Sequence, residues 1–163
     1  MYTLSGTASW GNATTAPSDA NDYRKAADGD LNTYFDGVQN GYVMYDFGKT
    51  VKVNNVKLAA RSGNGMSERT KDGKVQASND GITWTDLYTI STAIPSGQYT
   101  TISSTDLADQ NAYRYFRYTN DTNMTNIAEF LIDATPSEET AVGAPSVTDI
   151  DEMSDDFEDS ANI

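Results

Sequence analysis

Apolar residues recur at every second position in short runs along most of the chain. Val43, Tyr45 and Phe47 alternate with Tyr42, Met44 and Asp46, and Val56, Leu58 and Ala60 alternate with Asn55, Lys57 and Ala59. Successive side chains of a strand point to opposite faces, so each run can turn one face into a core. The same pattern predicts strands over residues 2–9, 74–78, 82–87, 98–104, 112–119 and 127–133. Asn79, Asp80 and Gly81 separate two of these runs, and an Asp-Gly pair between β-prone segments predicts a tight hairpin. No segment carries a convincing helical period. About eight short strands punctuated by Gly, Asn and Asp predict an all-β chain folded as an antiparallel β-sandwich.

The pattern stops near Ala134. One domain is therefore expected over residues 1–135, a size suited to a single core. Residues 136–163 are rich in Ser, Thr, Pro, Gly and acids and end in DIDEMSDDFEDSANI. A segment of low hydrophobicity and one sign of charge buries too little apolar area to offset its ordering entropy, so this part is expected to be a disordered acidic linker or tail.

Charge narrows the class of partner. The formal net charge is −13, and nine of the 24 acids lie from Ser137 to Ile163, where there is no Lys or Arg. The remainder carries 15 acids against 11 bases without a cationic cluster, so nucleic acid and anionic membrane surfaces are not expected partners. No apolar run approaches the roughly 18 residues that span a bilayer, and no charged-then-apolar leader follows Met1. The chain reads as an excised module, monomeric and joined to further domains in a parent protein.

The absence of Cys and His removes more. Without thiols there is no disulfide frame, and without imidazole there is no serine triad and no HExxH zinc site. Gly48, Lys49 and Thr50 echo the end of a phosphate-binding loop, but residue 43 is Val where that loop needs Gly. No enzyme activity is expected. Asp28, Gly29, Asp30, Leu31, Asn32 and Thr33 offer hard oxygens within six residues, which is calcium chemistry. An EF-hand starting at Asp28 fails, because its sixth position is Thr33 rather than Gly and its twelfth is Gln39 rather than Glu. A plain Asx turn, with Glu129 an ordinary acid, remains the alternative from spacing alone.

Three segments occur in one order over nearly the whole chain to Ala134: KAADGDLNTYFDG from Lys25, YVMYDFG from Tyr42 leading through Arg61 to VQASNDGITW, and YRYFRYTN from Tyr113 followed by NIAEFLIDA. Together they resemble the discoidin family, the coagulation factor five/eight type C domains, and the related family 32 carbohydrate-binding modules. The resemblance implies an eight-stranded jelly roll whose loops at one end bind ligand, usually a glycan in bacterial members and phospholipid or protein in some others. It implies a secreted or cell-surface module that targets a parent enzyme or surface protein to a polysaccharide, with an adhesion domain binding protein or lipid as the alternative. It also implies a structural calcium ion held by the carbonyls of Lys25, Asp30 and Ala128, the side chains of Asp28 and Glu129, and both oxygens of Thr33.

Sugars are held by planar polar groups and by an aromatic surface that stacks on the ring. The loops that the fold would gather offer Trp10, Tyr34, Asp36, Arg61, Asn64 and Asn123 as ligand-binding candidates, with Tyr23, Met66 and Asn120 nearby. Arg61 matches an arginine that donates to sugar hydroxyls in galactose-binding relatives, although those relatives commonly add a His that this chain lacks. Phe35, Tyr42, Trp84 and Phe116 match aromatics that pack the core.

Overall fold

The structure, a computed structural model, describes residues 1–11 and 20–137. Nine strands follow one another among them: β1 (Thr3–Gly6), β2 (Phe35–Gln39), β3 (Tyr42–Ala59), β4 (Lys74–Ser78), β5 (Thr85–Thr89), β6 (Thr100–Ser103), β7 (Tyr113–Thr119), β8 (Met124–Ile127) and β9 (Glu129–Pro136). The helical content of the described residues is three short 3₁₀ turns, Tyr23–Ala27, Met66–Thr70 and Ser104–Asp106. Every strand pairing is antiparallel.

The two alternating runs around Val43 and Val56 form one strand of 18 residues rather than two. The first half of β3 pairs with β1 and β7, with Tyr45 opposite both Leu4 and Phe116, and β7 leads on to β4 and β5. Its second half pairs with β6 and β9, with Leu58 opposite Thr100 and Phe130. Between the halves Gly48 takes φ +71, open to glycine because it has no Cβ, and its N–H donates to Asp46 Oδ1 at 2.8 Å. The register with β7 shifts at this point, so one strand serves both layers.

The layers meet through aromatic side chains. Tyr45 lies edge-on to Phe130 with ring centres 5.4 Å apart, and its hydroxyl donates to the Phe130 carbonyl at 2.6 Å. Phe35, Val43, Leu58, Phe116, Tyr118 and Ile127 are fully buried around them. Burial of such residues contributes about 1.5 to 3 kcal/mol each before ordering costs.

Four details depart from the pattern-based expectation. The ladder of β2 and β8, with Phe35 opposite Ile127 and Asp36 opposite Asn126, was not signalled, because polar residues interrupt its alternation. The run 127–133 breaks at Ala128, whose N–H donates to Ala59, as the chain passes from β8 into β9. β5 starts at Thr85 rather than residue 82, since the Asp80 carboxylate captures the N–H groups of Ile82 and Thr83 at 2.8 Å. Those bonds hold the Asp80 carboxyl at about 2, below its ordinary value, and make a loop of the expected tight hairpin. Finally, Trp84 and Tyr42 are half-buried and outside the core cluster, while Phe35 and Phe116 lie in its centre. Arg117 lies 4.0 Å over the Trp84 ring and 5.6 Å over that of Tyr42.

At the other end, β9 reaches Pro136, and buried Ser137 donates its N–H to the Thr50 carbonyl at 3.1 Å. The folded body thus takes in Pro136 and Ser137, the first two residues of the acidic tail expected over 136–163, and the rest of that tail lies outside the described residues. No helix among the described residues is long and apolar enough to cross a membrane.

Candidate binding site

The register of β2 with β8 places Asp36 opposite Asn126 at one end of the sandwich. There Trp10, Asp36, Arg61, Arg69 and Met124 line a cleft of about 430 Å³. Trp10 follows β1; its N–H donates to the Asp36 carbonyl at 2.6 Å, while its side chain leaves the residue 63% exposed. A ring anchored by its backbone and open to solvent is a ready stacking surface.

Arg61 stands just past the end of β3 and is held on three sides. Nη1 donates to Asp36 Oδ1 at 3.0 Å and to Asn126 Oδ1 at 2.6 Å, and Nη2 donates to the Tyr34 hydroxyl at 3.2 Å. The guanidinium lies 4.0 Å over the Tyr34 ring, so Tyr34 supports the arginine with one of its faces. The Arg61 side chain is only 18% exposed, which makes it a preorganised donor. Asn126 is fully buried, and its Nδ2 donates to the Gly37 carbonyl at 3.0 Å.

Of the candidates read from the chain, Trp10, Tyr34, Asp36 and Arg61 come together. Asn64 is exposed in the loop after β3 and does not line the cleft with the described residues named above. Asn123 shapes the entry to β8, its Oδ1 accepting the Met124 N–H at 2.9 Å. Asn120 is a buried structural residue: Nδ2 donates to the carbonyls of Arg69 and Lys71, and Oδ1 accepts from the N–H groups of Thr122 and Asn123. Arg69 and Asn126 were not singled out. The signal for Arg69 was its place in the loop 61–71, and Asn126 opens the NIAEF segment.

A second constellation sits where the residues after the Tyr23–Ala27 turn meet β9. Asp28 Oδ1 accepts the Asp30 N–H at 3.0 Å, Asp28 Oδ2 accepts the Thr33 hydroxyl at 2.5 Å, and Asp30 Oδ1 accepts the Asn32 N–H at 2.8 Å. Glu129 opens β9 and is fully buried; Oε1 accepts from the Gly29 N–H at 2.9 Å and the Tyr99 hydroxyl at 3.3 Å. Its other oxygen, Oε2, is buried without a partner. Burial, reinforced by the nearby Asp28 carboxylate, pushes the Glu129 carboxyl up to about 8. Partial desolvation acts to raise Asp28, but hydrogen bonds from the Thr33 hydroxyl and the Asp30 N–H hold it below its ordinary value. No group of three acids converges among the described residues, so a cation here would need neutral oxygens as well. Those available include the Thr33 hydroxyl and the backbone carbonyls around it.

Two layers sharing one strand, with a loop-built cleft at one end, define a discoidin-like antiparallel β-sandwich. The chain belongs to the F5/8 type C domain family, which it matches over residues 7–130. It is similar to CBM62 from Clostridium thermocellum Xyl5A, with 33% identity, 82% of this chain and 94% of that chain covered, and a TM-score of 0.68. Two further modules share the fold at lower identity. One is CBM32-1 from a family 31 glycoside hydrolase of Clostridium perfringens (21% identity, 79% and 92% covered, TM-score 0.55). The other is the CBM32 of AlyQ, solved in complex with 4,5-unsaturated mannuronic acid (23% identity, 80% and 93% covered, TM-score 0.59). These neighbours are carbohydrate-binding modules. No curated protein matches the chain.

Proposed function

We propose that this chain is a non-catalytic carbohydrate-binding module that uses the Trp10–Arg61 cleft. The observation that carries the reading is Arg61 fixed by Tyr34, Asp36 and Asn126 in the wall of a cleft beside an exposed indole. Such a site supplies charge-assisted donors for sugar hydroxyls together with a ring to stack on. Similarity to modules attached to glycoside hydrolases supports a targeting role, in which a secreted parent enzyme or surface protein is held on its polysaccharide.

Calcium belongs to the same reading. The ion would be held by Asp28, Thr33 and Glu129 with the carbonyls of Lys25, Asp30 and Ala128, and the unpartnered, buried Glu129 Oε2 beside Asp28 supports a cation at this place. Bound there, it neutralises two carboxylates and clamps the loop after Asp28 to the start of β9. Its role is structural.

A glycan array followed by calorimetry on the hits tests the reading. A shallow site for one or two sugars gives about 4 to 6 kcal/mol, roughly millimolar to tens of micromolar. Hits that survive both Arg61→Ala and Trp10→Ala would place binding elsewhere, and a protein or lipid ligand with no glycan hits would favour an adhesion domain.

A further inference from the structure

The two arginines of the cleft are not equivalent. Arg61 is paired with the Asp36 carboxylate at 3.0 Å. Arg69 has no ion pair among the described residues, and its guanidinium donates there from Nη1 to Asn126 Oδ1 at 3.0 Å. Arg61 donates to the same oxygen at 2.6 Å, so two cations share one neutral acceptor. The Asn126 amide cannot be reversed to relieve this, because its Nδ2 is already committed to the Gly37 carbonyl. Arg61 Nε is also buried without an acceptor.

The fold does not require this second charge. Arg61 and Gly37 already satisfy Asn126 at both ends, and a like charge brought alongside costs free energy unless an anion offsets it. With Asp36 as the lone acid of the lining among the described residues, those residues give the cleft a surplus positive charge in a chain whose net charge is −13. Charge of this sign in an acidic protein selects a partner with a negative group.

We propose that the cleft selects a sugar bearing a carboxylate, a uronic acid residue, and that Arg69 is the specificity-determining side chain that receives it. The inference rests on the sugar-binding reading of the cleft and deepens it. A guanidinium presents a planar fork that matches a carboxylate through two parallel hydrogen bonds, whereas the hydroxymethyl group of a neutral hexose offers no charge to meet it. Trp10 stacks on the ring and Arg61 serves the hydroxyls, while Arg69 distinguishes the acid from its neutral counterpart.

Calorimetry at about 50 mM salt, where screening of surface charge is modest, compares three uronate trisaccharides (galacturonate, glucuronate and mannuronate) with their carboxyl-reduced counterparts and with a sulfated galactan fragment. At least one uronate is expected to bind about tenfold or more tightly than its reduced counterpart, the worth of a charge-assisted bond, and the preference should shrink as salt rises. Arg69→Gln should bring the two within about twofold, with a cooperative melting transition showing that the variant is folded; Arg69→Lys should keep part of the preference. The proposal is overturned if every reduced sugar binds as well as its uronate, if the sulfated fragment binds more tightly than every uronate, or if Arg69→Gln leaves the preference intact. Neutral sugars bound without discrimination would leave the carbohydrate-binding reading standing, whereas binding of no sugar at all would remove both.

Discussion

The backbone N–H of Gly29 donates to Glu129 Oε1 at 2.9 Å, joining residues one hundred positions apart in the chain. The carboxylate that accepts it keeps a second, buried oxygen unused. A cation at that oxygen would close a long loop, which is where a cross-link constrains the unfolded chain most.

Removal of calcium should therefore lower stability. A ligand that binds only the folded state stabilises by mass action, by about 2.7 kcal/mol at a hundred times its Kd. Melting curves in chelator and in excess calcium should separate, and Glu129→Gln should bring them together. Identical curves for the parent in both conditions would leave Asp28 and Glu129 as ordinary polar residues.

The metal-free protein should show a pH dependence of definite sign. Glu129 has its carboxyl raised from 4.5 to about 8 in the folded state, so the fold favours its protonated form. The folded state is unpenalised by this group below its ordinary value of 4.5 and loses stability as pH rises from there to about 8, at no more than about 1.4 kcal/mol per unit. If calcium is held by the Glu129 carboxylate, as proposed, the calcium-dependent increase in melting temperature should grow over the same interval. Denaturant titrations in chelator that show stability rising from pH 5 to 8 would contradict the burial of this charge.

Arg61→Ala should abolish measurable sugar binding and also destabilise the fold. Its removal leaves Asp36 without its ion pair and takes one donor from the buried Asn126, a loss of about 1 to 3 kcal/mol. Trp10→Ala should weaken binding with little change in melting, because the residue is 63% exposed. Equal damage to stability from both variants would show that the indole has a packing role.

Trp84 and Phe116 should separate in the opposite sense from binding residues. Phe116 is fully buried between the layers, and Phe116→Ala should cost about 3 to 5 kcal/mol. Trp84 is half-buried beneath the Arg117 guanidinium, so Trp84→Ala should cost roughly 0.5 to 2 kcal/mol, the worth of that contact. Chemical denaturation of the two variants measures the difference directly.

Alternation around Val43 and Val56 is a local property with period two, and it sufficed to place both halves of β3 and the sandwich they build. The missing Cys and His excluded thiolate and imidazole sites before any fold was known. The motif order from Lys25 to Ala134 was equally plain, and the family match over residues 7–130 agrees with it. Asp80 shows where local reading fails: one carboxylate competing for two backbone N–H groups displaced the start of β5 by three residues. Arg69 and Asn126 show the deeper limit. Their meaning depends on an amide oxygen shared with Arg61 across 57 and 65 positions of chain, a contact set by the register of β2 with β8 and invisible to any pattern of neighbours. Trp84 was assigned to the core through its match to a core aromatic of the resembled family, and only the packing of Arg117 over its ring showed it half-buried outside the core cluster. Periodicity tells which face of a strand turns inward, whereas contact between distant segments depends on how the layers stack, and that is settled by the sum of all their packing at once.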